Sequence, residues 1–259
     1  MRAFDNERAD ADVIKRALEA SALQIPVTVL GTVDSTNTYA KKMAAEGERA
    51  ALVVALEQTA GRGRMGRSFY SPSGSGVYLS ILHTFHTPIC NAVSVTSAAA
   101  VAVMRAIRRI CGVQTEIKWV NDLYRNGKKV CGILAESMLF GEECAVVVGI
   151  GLNLRHADFP AELSDIAGTL DADDADAAAL IAAIAEELDP FLQDPLSREW
   201  LLDYRTHSCV LGKHVVWTEE GVTHSGTASD IDENGSLIVL SDTGETVALR
   251  TGEITLRLT

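Results

Sequence analysis

Between Glu57 and Glu116 the chain has no aspartate or glutamate, although its formal net charge is -12. Arg62, Arg64, Arg67, Arg105, Arg108 and Arg109 all fall in that gap. A stretch without carboxylates inside an acidic protein can concentrate a small polyanion such as a nucleotide. The acidity of the whole argues against general binding to DNA or RNA, whose phosphates would be repelled. A second absence lies further on: from His156 to Ser197 there is no Lys or Arg but there are eleven Asp or Glu. That segment reads as solvated surface, with a helix pair packing on the sheet from one side and no chemistry assigned to it. The longest apolar stretch, Ala92 to Met104, is interrupted by Ser94, Thr96 and Ser97 and is too short for a bilayer. The charged start, Met1 to Glu7, lacks the apolar core of a signal peptide, so a cytoplasmic protein is expected. Cys90, Cys111, Cys131, Cys144 and Cys209 are scattered, with no zinc or dithiol spacing, and read as buried reduced thiols. The short lead before the first strand leaves no room for a winged helix-turn-helix module.

What the chain does have is the run Glu57-Gln58-Thr59-Ala60-Gly61-Arg62-Gly63-Arg64-Met65-Gly66-Arg67-Ser68-Phe69, directly after the apolar stretch Ala51 to Leu56. Glycines let backbone N–H groups approach a ligand closely, and guanidinium forks match phosphate or carboxylate oxygens. A strand ending in such a loop predicts a lid over an anion, although a solvated basic loop would have the same composition. Gly61-Arg62-Gly63-Arg64-Met65-Gly66 also fits the dinucleotide pattern G-x-G-x-x-G. That pattern needs a helix here and an acidic residue about 20 positions later. Ser71-Pro72-Ser73-Gly74-Ser75-Gly76 follows instead, and the acid is missing. The Rossmann reading fails on both counts.

Periodicity predicts helices and strands in alternation. Asp10 to Ala22 is spaced as a helix and Pro26 to Val33 as a strand. Asp34-Ser35-Thr36-Asn37 opens a second helix, with Ser35 or Thr36 as its N-cap. Val77 to His83 alternates as a strand. Asn91 to Cys111 is a long helix, apolar nearly all round in its first half and therefore buried, with Gly112 at C′. Thr115 to Lys118 is a strand that runs into Trp119-Val120-Asn121-Asp122, whose amide and carboxylate suit a turn. Asn126-Gly127 signals a hairpin, and Lys129 to Glu136 is the returning strand. Cys144 to Gly149 closes in Gly149-Ile150-Gly151-Leu152-Asn153, where glycines let something flat lie on the backbone. Helices over Ala177 to Leu188 and Ser197 to His207 are separated by Pro190 and Pro195. From Leu211, short strands punctuated by Gly221, Asn234-Gly235, Thr243-Gly244 and Gly252 make a small barrel-like domain.

Four segments together resemble the biotin–protein ligases: Asp34-Ser35-Thr36-Asn37, Gln58 through Arg67, Lys118-Trp119-Val120-Asn121-Asp122, and Lys129 to Leu134 with Gly149 to Asn153. The resemblance implies an α/β (α+β) fold, a central mixed β-sheet flanked by helices of the class II synthetase-like biotin–lipoate ligase type, with an SH3-like C-terminal β-barrel. The implied domains are a helical extension over 1–27, a catalytic domain over 28–208 and the SH3-like domain over 209–259. The implied reaction forms biotinyl-5′-AMP from biotin and ATP with Mg2+, then transfers biotin to a lysine of a biotin carboxyl carrier domain. By resemblance, Ser35, Thr36, Asn37, Gln58, Gly61, Arg62, Gly63, Arg64 and Lys129 bind biotin. Arg64, Arg67, Phe69, Lys118, Asn121, Lys129 and Asn153 bind the nucleotide, Arg64 and Lys129 are catalytic, and Asp122 meets magnesium or the incoming lysine. The family varies between monomer and homodimer, and both stay open here; the net charge and the missing leading domain argue against a nucleic-acid partner, and the lack of a long apolar run against a membrane. The arginine–glycine loop is expected to be disordered without ligand and to order over biotin. Val120 stands where the family usually has proline, Met65 where a basic residue is common, and Ser68 where bulkier residues are frequent. A lipoate or octanoate ligase or transferase of related fold, and a non-catalytic biotin- or nucleotide-binding regulator, are the alternatives.

Overall fold

The computed structural model describes residues 11–21, 23–86, 92–250 and 254–256. A seven-stranded mixed sheet forms the centre, built from β1 (Val27–Val33), β2 (Ala50–Gln58), β3 (Gly76–Phe85), β4 (Glu116–Lys118), β5 (Asp122–Arg125), β6 (Lys128–Phe140) and β7 (Glu143–Asn153) in the order β1-β2-β3-β7-β6-β5-β4. Only β1 and β2 run parallel, and α2 (Thr36–Ala45) connects them. Every other neighbouring pair is antiparallel. The β5–β6 hairpin turns on Asn126 and Gly127, both at positive φ (51° and 76°), as this residue pair favours.

Two apolar layers sandwich the sheet. On one side α2 sets Ala40 and Ala44 against Ala51, Val53, Leu82, Ala145 and Val147. On the other lies α3 (Ala92–Cys111), whose Ala98 to Val103 run is buried all round. That run has no solvent face because α4 (Ala177–Gln193) covers it, with α1 (Ala11–Glu19) behind. Burying one side chain such as Ile107 is worth about 1.5–3 kcal/mol, which sets the scale of this layer. Gly112 follows α3 at φ 67°, the left-handed C′ position expected of it.

Two expectations are corrected here. Pro190 does not separate helices but lies inside α4, whose buried Phe191 and Leu192 and the Asp194 N–H bond to the Pro190 carbonyl (3.1 Å) carry the last turn on. A proline so near a helix end removes one hydrogen bond, and burial of the apolar residues after it offsets that loss. The helix drawn from the acidic segment does bury one face, as expected, but it packs chiefly on α3, with only a smaller contact to the sheet at β3. Cys144 is disulfide-bonded and not a reduced thiol, whereas Cys111, Cys131 and Cys209 are free and Cys90 lies outside the described residues. Linear spacing carries no signal for a bridge that only the fold brings together.

After α5 (Trp200–Thr206) comes a five-stranded antiparallel sheet of β8 (His214–Glu219), β9 (Val222–Ile231), β10 (Leu237–Ser241), β11 (Thr246–Leu249) and β12 (Ile254–Leu256), ordered β11-β10-β9-β8-β12. Among the described residues no helix is long and apolar enough to cross a membrane.

Candidate active site

A cavity of about 470 Å³ opens where α2 begins, β2 ends and the glycine–arginine loop folds back over β6 and β7. It gathers Ser35, Thr36, Asn37, Gln58, Arg62, Gly63, Arg64, Arg67, Phe69, Lys118, Asn121, Asp122, Lys129 and Asn153 from segments far apart in the chain. Of the residues expected from sequence, Gly61 alone is not on the wall. It is buried beneath the loop, where a Cβ would meet the Phe69 carbonyl at 2.5 Å. A larger but more open hollow of about 630 Å³, beside the ends of α3, β4 and α5, holds none of them.

The loop is a compact hairpin. Phe69 N–H bonds the Gly61 carbonyl (2.9 Å) and Gly63 N–H the Arg67 carbonyl (2.7 Å), with Met65 left-handed at φ 54° on the turn. Arg64 reaches inward from it to donate to Asn121 Oδ1 at 3.2 Å. Asn121 in turn donates to the Ile133 carbonyl (2.9 Å), so the predicted turn residue is a brace between β6 and the loop. The Phe69 ring packs closely on the sheet at its glycines: a Cβ on Gly151 would sit 2.6 Å from its ring and one on Gly132 3.3 Å away.

One end of the cavity is polar and rigid. Ser35 caps α2, accepting from the Thr38 N–H at 3.5 Å. Gln58 Oε1 accepts from the Thr36 backbone N–H (2.9 Å) and hydroxyl (3.2 Å), and its Nε2 donates to Ser71 Oγ (3.0 Å). That fixes the amide and leaves one N–H to offer a ligand. Both Asn37 donors are committed, to the Leu134 carbonyl (3.2 Å) and Glu136 Oε2 (2.9 Å), while Ser80 donates to Asn37 Oδ1 at 2.6 Å. Asn37 therefore acts mainly as a brace. Ser80 and Glu136 carried no sequence signal, because their partners lie 43 and 99 residues away.

This packing yields a mutational prediction. A Cβ on Gly149 would fall 2.0 Å from Asn37 Oδ1, and Asn37 is too tightly held to move. Gly149→Ala is expected to cost about 1–3 kcal/mol by overpacking and to weaken ligand affinity at this end. Chemical denaturation beside calorimetric titration checks both, and an alanine variant as stable as wild type would refute the close approach.

Glu136 supplies a pH dependence. Burial raises its pKa, but hydrogen bonds from Lys41 (2.6 Å) and Asn37 and the charges of Lys41 and Arg62 outweigh that, so the net shift is downward. A depressed carboxylate contributes stability above its unfolded pKa, about 4.3. That contribution is lost as pH falls through the lower folded value. The stability gap between wild type and Glu136→Gln should therefore shrink on acidification below about pH 4.3. A gap independent of pH in denaturant melts would contradict this.

The other end is cationic. Arg64, Arg67, Lys118 and Lys129 line it, with Arg62 on the same wall reaching toward Glu136 at the polar end, and Asp122 is the single carboxylate among the lining residues. Lys129 Nζ meets Asp122 Oδ1 at 2.7 Å, an ion pair rather than a well-aligned hydrogen bond. Lys118 Nζ lies 3.4 Å from the Tyr124 hydroxyl and over its ring. The Lys129 backbone is pinned from outside the sheet, its N–H bonding the Ile166 carbonyl (2.9 Å) and its carbonyl accepting from Gly168 N–H (2.8 Å). Asn153 Nδ2 donates to the Gly168 carbonyl at 3.0 Å.

That pinning corrects the reading of the acidic segment as without chemistry. Phe159, Leu163, Ile166 and Ala167 form an apolar stretch of the cavity wall. Phe159 meets Tyr70 edge to face, with ring centroids 6.3 Å apart. Their apolar spacing among acids was the available signal. Among the described residues no three His, Cys, Asp or Glu side chains cluster as a metal site.

Residues 29–153 match the Biotin/lipoate A/B protein ligase family, and residues 210–257 match the Biotin protein ligase C terminal domain. The chain is 34% identical over 222 residues to the bifunctional ligase/repressor BirA of Bacillus subtilis, covering 82% of this chain and 67% of that protein. It is 32% identical over 245 residues to the biotin--[acetyl-CoA-carboxylase] ligase of Paracoccus denitrificans, covering 85% of this chain and 96% of that one. The structure of the biotin protein ligase from Aquifex aeolicus in complex with biotin and ATP superposes with a TM-score of 0.73 at 28% identity, over 90% of this chain and 99% of that one.

Proposed function

This chain belongs to the Biotin/lipoate A/B protein ligase family, and from that premise we infer that it is an ATP-dependent ligase that activates biotin and passes it to a protein lysine. One observation carries the reading: a rigid polar pocket end and a cluster of four cations share one cavity. The polar end suits a ureido ring, which needs donors and acceptors held in place. Ser35, Thr36 and Gln58 would meet that ring, with Asn37 behind them and Arg62 and Gly63 closing over the chain. The cationic end suits phosphate oxygens, and the apolar wall of Phe69, Phe159, Leu163 and Ile166 suits an adenine face.

In the first step a biotin carboxylate oxygen attacks the α-phosphorus of ATP and pyrophosphate leaves. Negative charge spreads over the phosphate oxygens, where Lys129 and Arg64 would stabilise it. Lys118 and Arg67 would hold the remaining phosphates, and Asn121 and Asn153 the nucleoside side. In the second step the acceptor amine attacks the acyl carbon, loses a proton and releases AMP. The acceptor is a biotin carboxyl carrier domain. Magnesium commonly binds through one or two carboxylates plus substrate phosphates, so Asp122 fits as its lone protein ligand. When bound, the ion would neutralise triphosphate charge.

The test is acid-dependent exchange of labelled pyrophosphate into ATP by the purified chain. Biotin is expected to drive exchange, with lipoate and octanoate near background. Exchange driven by lipoate or octanoate in preference to biotin would overturn the assignment.

A further inference from the structure

The segment Ile117 to Asp122 faces the cavity through Lys118, Trp119, Asn121 and Asp122, yet it is gripped from behind by the C-terminal part of the chain. Ile117 N–H bonds the His207 carbonyl (2.8 Å), and the Ile117 carbonyl accepts from Cys209 N–H (2.9 Å). Tyr204 donates its hydroxyl to the Val120 carbonyl at 3.1 Å. Most informative is Trp119, which is 4% exposed: its indole Nε1–H donates to the carbonyl of Gly235, in the turn between β9 and β10, at 2.9 Å. The same residue thus lines the nucleotide end of the cavity and holds a turn of the C-terminal sheet.

That turn has little freedom of its own. Arg205 donates to the Ile231 carbonyl (2.9 Å) and to Asp230 (2.9 Å). Gly235 sits at φ +83° so close to α3 that a Cβ would lie 2.8 Å from Ser97 Oγ and 3.1 Å from Val93 Cγ1. From the far side of the same sheet, Ile254 of β12 also lines the cavity. A buried hydrogen bond from a wall residue to an anchored turn fixes the ring plane, whereas an apolar contact alone would let the ring pivot.

We propose that Trp119 is a positioning residue through which the Gly235 turn of the C-terminal domain sets the nucleotide end of the adenylation site. This rests on the ligase reading above. A purely structural tie would lower stability without distinguishing the two substrates, whereas positioning acts on the nucleotide and spares biotin, whose polar pocket is held by α2 and β3.

The experiment is pyrophosphate exchange by the full chain, with ATP and biotin varied separately, for wild type, Trp119→Phe, Gly235→Ala and the double variant. Trp119→Phe keeps a ring and removes the donor. It is expected to raise KM for ATP about tenfold, the scale of one lost buried hydrogen bond, with KM for biotin within about twofold. Gly235→Ala moves the acceptor and should do the same, and the double variant should be no worse than the poorer single one. Unchanged KM for ATP in Trp119→Phe, or equal rises in both constants, would overturn the proposal alone. Wild type lacking biotin-driven exchange would overturn the ligase reading and this proposal with it.

Discussion

Lys129→Ala is expected to lower the rate of biotin-dependent pyrophosphate exchange by about 10³, since removing one preorganised donor from a site of developing charge costs on the order of 10²–10³. The ammonium sits over Gly132 and 2.7 Å from Asp122, with its backbone tied to Ile166 and Gly168. Its position is set before any substrate arrives, so little reorganisation is needed when charge develops. The pair with Asp122 is partly solvent-exposed, so the fold should survive its loss with a small change in melting temperature. Lys129→Arg keeps the charge but replaces a compact point charge by a wide planar fork, and should recover little of the rate. Near wild-type exchange by a folded Lys129→Ala protein would remove this lysine from the chemistry.

Arg64→Ala should act differently, on retention of the intermediate more than on its formation. Arg64 is held by Asn121 at 3.2 Å on a hairpin that forms the cavity roof. A charge-assisted contact of this kind is worth about 1.5–3 kcal/mol, a factor of about 10 to 100 in off-rate. Without acceptor, single-turnover experiments with labelled biotin and ATP should show free acyl-adenylate accumulating in solution, where hydroxylamine traps it. Wild-type-like retention in Arg64→Ala would mean that the roof is closed by other groups.

Much of this site could be read in the sequence because it is made of short contiguous runs. The loop from Gln58 to Phe69 and the segment from Lys118 to Asp122 each carry their chemistry within a few residues of one another. The central strands were likewise legible from alternation. What escaped was whatever depends on distant partners. Glu136 and Ser80 look like ordinary strand residues until Asn37 is folded against them. Gly149 and Gly151 announced a close approach but not what approaches, which proves to be the Asn37 amide and the Phe69 ring. Phe159, Leu163 and Ile166 were hidden among carboxylates whose charge dominated the composition. Pro190 looks like a helix break because local propensity does not contain the burial of Phe191 and Leu192 that carries α4 past it.

The central claim is that Lys129 and Arg64 converge on one acyl phosphate while the polar end at Gln58 holds the ring system. A crystal structure with a non-hydrolysable biotinyl-adenylate analogue tests it most directly. The account predicts the analogue's phosphate within hydrogen-bond distance of both Lys129 Nζ and the Arg64 guanidinium, and its ureido oxygen at Gln58 Nε2. An analogue bound elsewhere, or in this cavity with both cations turned to bulk water, would contradict it.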